Sequence, residues 1–140
     1  MGAGAATAAA AAFVWLGMVL AISFLEAPLK FRAPGVTLPV GLGIGRLVFR
    51  ALNAAEAALA SVIVVALAVS PSPVVVAAAA VAIGALVVQL VAVRPRLTRR
   101  SDAVLAGSDT PRSDAHHAYV GLELVKVIAL LVAGIALLSR

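Results

Sequence analysis

The chain has 140 residues, of which 64% are hydrophobic and only 12% charged, against about 25% charged in an ordinary soluble domain. Apolar stretches take up most of that length, which leaves no room for a soluble catalytic domain and makes 1–140 a single transmembrane domain. The absence of cysteine excludes disulfides, thiolate metal sites and cysteine nucleophiles together.

The first apolar stretch, about residues 5–27, approaches the ~20 residues that cross a ~30 Å hydrocarbon layer as a helix. It lacks the basic n-region of a secretory signal and exceeds the usual apolar h-region, so it reads as a retained span. Trp15 fits an interfacial or packing role there, and Glu26 stands at its end. The connector EAPLKFRAPGVTLPVGLGIG carries Pro28, Pro34 and Pro39, each opposing helix continuation, and reads as a Pro-rich segment at the membrane surface. Its Gly41, Gly43 and Gly45 look like a phosphate-binding run. The strand of a βαβ unit does not precede them, so they read as glycines that open the second helix or allow close backbone approach.

The second span, about 44–69, contains Arg46, Arg50, Asn53 and Glu56. Their spacing of four, three and three puts them in one stripe on a helix. SPSP, residues 70–73, is a tight uncharged turn into the third span, about 73–93, where Gln89 reads as a helix-to-helix hydrogen bonder. RPRLTRRSDAVLAGSDTPRSDA then reads as a long polar loop, with Ser113 or Asp114 placed to cap the last helix. The fourth span, about 116–138, opens with HHAYVGLELVK. There His116, Tyr119, Glu123 and Lys126 form a second stripe by the same rule. Runs such as VIVVALAV lack the alternation of barrel strands, so the expected fold is all-α, an integral membrane four-helix bundle.

The basic residues give an orientation. Lys30, Arg32, Arg46, Arg94, Arg96, Arg99, Arg100 and Arg112 fall in or beside the first and third connectors, and Arg140 alone falls at the opposite face. Lys and Arg concentrate on the cytoplasmic side, so both termini are expected on the non-cytoplasmic side of the cell membrane. Topology thus accounts for the net charge of +5. Nucleic-acid binding is not expected, because aromatic residues are not interleaved with the basic ones.

Spans two and four run parallel in this topology, so their stripes lie at matching depths. Glu56 falls level with Lys126, and Glu123 near Arg50 or Arg46. Glu26 is within reach of Lys30, Arg32 or Arg50. A lipid-facing charge costs about 2.5–3.5 kcal/mol even on the mildest insertion scale, so the stripes are expected to face each other. Two readings stay open: the charges neutralise one another and hold helix register, or they line a hydrated, net-basic, cytoplasm-facing pocket. The pocket would use Arg50, Asn53, Glu56, Glu123, Lys126, His116, Tyr119, Glu26 and Arg46, with the planar guanidinium of Arg50 the foremost anion contact. No metal site or cofactor is expected, because adjacent His116 and His117 point about 100° apart and nearby cations oppose a metal ion. No nucleophile stands beside a base, so no enzyme activity is expected.

The segment WLGMVLAISFLEAPLKFRAPGVTLPVGLGIGRLVF, the motif RPRL and HHAYVGLELVK together resemble small bacterial four-span proteins. They are also similar to the family of transmembrane protein 205 and the bacterial domain of unknown function 4149. The shared features are a Pro-containing first connector, a basic end to span three and a histidine entering span four. These correspond here to Pro28, Arg94 to Arg96, and His116 or His117. The chain is shorter than the family's eukaryotic members. The resemblance implies architecture and supplies no reaction.

The expected function is binding or transport of a small anionic ligand or lipid headgroup from the bilayer, with homo-oligomerisation suited to so small a transporter. The alternative is a non-catalytic accessory or assembly subunit of a larger membrane complex, because alanine-rich faces also let partner helices approach closely.

Overall fold

A computed structural model of the chain describes residues 2–107 and 114–140. It contains four helices long and apolar enough to cross a membrane: α1 (Ala3–Arg32), α2 (Leu38–Val69), α3 (Pro73–Leu105) and α4 (Asp114–Leu138). No strand occurs among the described residues.

Three of the four helices are longer than a bilayer core demands, and prolines explain where they change character. Pro28 and Pro95 each lack an N–H and would drive their rings into the carbonyl four residues earlier. In each case the helix widens into π-helical turns just upstream, over Leu20–Glu26 and Gln89–Val93, and then continues. Pro28 therefore does not end α1. Pro39 lies in the first turn of α2, where its missing N–H would have no helical partner anyway. Thr37 caps that helix, its hydroxyl accepting from the Val40 N–H at 3.4 Å. The expected Pro-rich surface connector thus contracts to residues 33–37, turning through Gly35, whose φ of +82° favours glycine.

A second correction concerns the expected long polar loop. Residues Arg94–Leu105 are helical and extend α3, with Ser101 and Val104 buried. Arg96, Arg99 and Asp102 occupy the outer face of an amphipathic helix, whereas Arg94 and Arg100 are half-buried. Asp114 lies in the first turn of α4, where an acid favours the helix dipole, and Ser113 lies outside the described residues.

The bundle is up-and-down. α1 packs on α2 and on α4, and α4 packs on α3, which leaves α2 and α4 across a diagonal. Arg140 donates to the carbonyl and hydroxyl oxygens of Ser70, both at 3.3 Å, and Gly4 lies beside Ser70. The described ends of the chain and the SPSP turn therefore share one end of the bundle. Lys30, Arg46, Arg94 and Arg100 gather at the other.

The core between these ends is built from small residues. Ala8, Ala12, Ala79, Ala82 and Ala133 are buried, with Trp15, Val19, Val75 and Leu130 filling the space between them. Small side chains let helices approach closely where the surroundings offer no hydrophobic drive. The outer surface is apolar instead: Leu47, Val65, Val69, Val91, Ile128 and Leu138 are all exposed.

Candidate functional site

Buried carboxylates and an ammonium occupy the middle of this alanine-rich bundle. The stripe on α4 points inward as its spacing requires, with Tyr119, Glu123 and Lys126 all buried. Lys126 and Glu56 are 0% exposed and Glu123 is 1% exposed. The Lys126 ammonium pairs with Glu123 one turn back on α4 and reaches across the diagonal to Glu56 on α2. The expected Glu56–Lys126 pair is therefore present, carried by the length of the lysine and not by close packing of the two helices.

The remaining partners of these carboxylates come from α1 and α3. The indole N–H of Trp15 donates to Glu56 Oε2 at 2.7 Å. The Ser23 hydroxyl donates to Glu123 Oε2. The Gln89 amide donates to Glu123 Oε1 at 2.8 Å and to the Tyr119 carbonyl at 3.2 Å. Ser23 and Gln89 both lie in the π-helical turns, so the two proline-induced distortions each deliver a donor to the same carboxylate. Buried charge is tolerated only with such hydrogen bonding. Two acceptors are nevertheless left over: Glu56 Oε1 and Gln89 Oε1 are buried without a hydrogen-bond partner.

The stripe on α2 does not stay together. The inward line of this helix runs through Gly41, Gly45, Leu52, Glu56 and Ala60. Arg46 and Asn53 each stand one residue past a member of that line, and Arg50 one residue past Phe49, a rotation of about 100°. Glu56 faces the core, Asn53 is half-buried, and Arg46 and Arg50 are exposed. Arg46 pairs with Asp102 of α3, a partner not anticipated. Arg50, expected near Glu123, forms no ion pair with it, since Glu123 is held by Lys126, and Arg50 stands on the exposed face of α2. Glu26 contacts Lys30 at 3.8 Å, an i,i+4 ion pair within α1.

Above the buried cluster, a cavity of about 410 Å³ opens at the basic end among all four helices. Its walls are mostly apolar, including Phe24, Phe31, Leu42, Phe49, Leu97 and Val120. Lys30, Arg46, Arg94, Arg100 and His116 also line it, and so do Tyr119 and Glu123, which link it to the cluster below. Of the expected site residues, Arg46, His116, Tyr119 and Glu123 reach this cavity, whereas Glu26, Arg50, Asn53, Glu56 and Lys126 do not line it.

The cavity's cations differ in how they are held. Arg46 is tied to Asp102, and Lys30 lies 3.8 Å from Glu26 and 5.6–5.7 Å from the ring centres of Phe31 and Phe49. Arg94 is held otherwise. Its guanidinium donates to the Tyr119 hydroxyl at 3.3 Å and lies 5.1 Å from the ring centres of Phe49 and Tyr119. Those two rings pack edge to face at 5.7 Å. Aromatic faces attract a guanidinium without neutralising it. Among the described residues no carboxylate pairs with Arg94, and its Nε is buried without a partner.

Sequence reasoning missed Arg94, Ser23 and the polar role of Trp15. The signal for Arg94 and Gln89 was their fivefold spacing, which shares a face only on a π-widened helix, as Pro95 imposes here. No family model, no curated protein and no solved structure matches this chain.

Proposed function

We propose that the protein is a multi-pass membrane protein that binds an anionic amphiphile, a lipid headgroup or small anion with an apolar portion, in the cavity at its basic end. Embedding in a bilayer is supported by four helices of sufficient length whose outer faces expose Leu47, Val65, Val69, Val91 and Ile128. In water such a surface would be an association site. In lipid it is the ordinary boundary. The concentration of Lys and Arg at the cavity end supports a cytoplasmic location for that end, with both termini on the other side.

The observation that carries the ligand reading is Arg94. It is a guanidinium on a cavity wall, oriented by a hydroxyl and two aromatic rings, and it forms no ion pair with a carboxylate among the described residues. Its planar fork suits two parallel hydrogen bonds to a phosphate, sulfonate or carboxylate. The apolar walls around it suit the part of the ligand that adjoins the charged group. Transfer of such a ligand between bilayer and cytoplasm is the corresponding transport role, served by a homo-oligomer.

The test is thermal unfolding of the protein in non-ionic detergent with octyl sulfonate or octyltrimethylammonium, which share a tail and differ in charge. The sulfonate is expected to raise the melting temperature, the ammonium is not, and Arg94→Gln is expected to abolish the difference. Equal shifts from both compounds would remove the anion site and favour an accessory subunit whose basic end docks on a partner.

A further inference from the structure

Glu56, Glu123 and Lys126 bring two carboxylates and one ammonium into a core where none is more than 1% exposed. Taken alone, that cluster carries one uncompensated negative charge. What balances it is decided by the groups facing it from each helix. α1 supplies Trp15 and Ser23, both uncharged, and keeps Lys30 on Glu26. α2 supplies Glu56 itself, while its Arg46 is held by Asp102. α3 supplies Gln89 and Arg94, with Arg100 at the cavity. α4 supplies His116, Tyr119, Glu123 and Lys126.

Arg94 is the cation joined to this cluster through Tyr119, one helical turn from Glu123 on α4. It touches neither carboxylate, so it is a second positive charge that acts on them only through space. It is also the group that the anion-binding reading assigns to the ligand. An anion seated on Arg94 cancels the charge that balances the carboxylates, and the cluster is again one positive charge short.

Resting on that reading of the cavity, we propose that anion binding at Arg94 is proton-coupled: each monovalent anion bound draws one proton from water onto the Glu56–Lys126–Glu123 cluster. The route is the cavity itself, since Glu123 lines it. The proton adds to a carboxylate oxygen, converting one carboxylate to a carboxyl, and returns to water when the anion leaves. No other bond is made or broken. The cluster is built to receive a donor, because Glu56 Oε1 and Gln89 Oε1 are buried acceptors without a hydrogen-bond partner. Lys126 bridges both carboxylates, so it can hold whichever stays ionised.

Octyl sulfonate is the probe, because its sulfonate stays ionised around neutrality and exchanges no proton of its own. Its affinity for the wild-type protein in non-ionic detergent can be followed by the fluorescence of Trp15, the single tryptophan, whose indole donates to Glu56. One proton taken up per anion lowers affinity about tenfold for each unit rise in pH. Glu56→Gln leaves Glu123 and Lys126 balanced, so its slope is expected to vanish. His116→Gln is expected to keep the slope; its loss there would assign the proton to the imidazole and overturn the proposal. A pH-independent wild-type affinity would overturn the coupling and leave the anion site standing. Absence of binding at every pH would remove both. The wild-type protein alone provides a second measurement, since an indicator dye in weak buffer should record about one proton taken up per octyl sulfonate bound. Uptake near zero overturns the coupling whether or not the variants fold.

Discussion

Replacing Lys126 by Met removes the one ammonium shared by Glu56 and Glu123 while keeping most of the side chain's volume. Both carboxylates are essentially inaccessible in the native packing, so neither gains a compensating charge in place of the lost partner. Breaking a buried ion pair in this way costs about 3–5 kcal/mol. Glu56→Gln is milder. Its amide oxygen can still accept from Trp15, and Lys126 keeps Glu123, so a loss of about 1–3 kcal/mol is expected. In the double variant the remaining carboxylate, Glu123, is still held by Ser23 and Gln89, and the orphaned charge on Glu56 is gone. The double variant should therefore be more stable than the summed single losses by about 2–3 kcal/mol, the upper range for directly contacting residues. Unfolding in mixed micelles, followed by circular dichroism because Trp15 touches the mutated group, measures all three. Losses that add to within about 0.5 kcal/mol, or a Lys126→Met protein as stable as the wild type, would refute the shared-ammonium reasoning.

Arg50→Gln should change stability by less than about 0.5 kcal/mol, because the side chain lies on the exposed face of α2; thermal unfolding beside Arg94→Gln checks the contrast. Trp15→Phe keeps the packing but deletes the 2.7 Å bond to Glu56, and should cost about 1.5–3 kcal/mol as a hydrogen bond to a charged group, read by denaturant titration. Gly41→Ala would place a Cβ 2.1 Å from Cε1 of Phe31, so the ring must swing; a loss of about 1–3 kcal/mol is expected, with weakened octyl sulfonate binding because Phe31 lines the cavity. The native chain has no cysteine, so single cysteines at Ser72 and Ala106 can be labelled cleanly; an impermeant thiol reagent on intact cells should reach the first and not the second, and the reverse pattern would invert the topology.

The number and approximate position of the helices were legible in the sequence because crossing a hydrocarbon layer needs a minimum run of apolar residues, whatever the neighbours do. The same is true of the basic end, which depends only on where Lys and Arg fall along the chain. The α4 stripe was legible as well: α4 carries no π-helical turn, and its three- and four-residue spacings hold. Helix phase was not legible on α2. Arg50 and Phe49 differ by one residue, and the packing of α2 against α1 and α3 decides which of them turns toward the cavity. Gln89 of α3 was legible as a helix-to-helix hydrogen bonder, but its partner Glu123 was not, nor was the contribution of α1. Ser23 and Gln89 meet Glu123 through π-helical turns that shift the ordinary helical face, and Trp15 meets Glu56 across 41 positions of sequence. The polarity of the basic tract read as a loop, but burial of Ser101 and Val104 gives that tract an inner face and keeps it helical. Spacing along one helix is a local property that sequence carries, whereas the rotation of each helix about its axis is set by how four small-residue surfaces pack together at once, and that rotation chose which charges were buried.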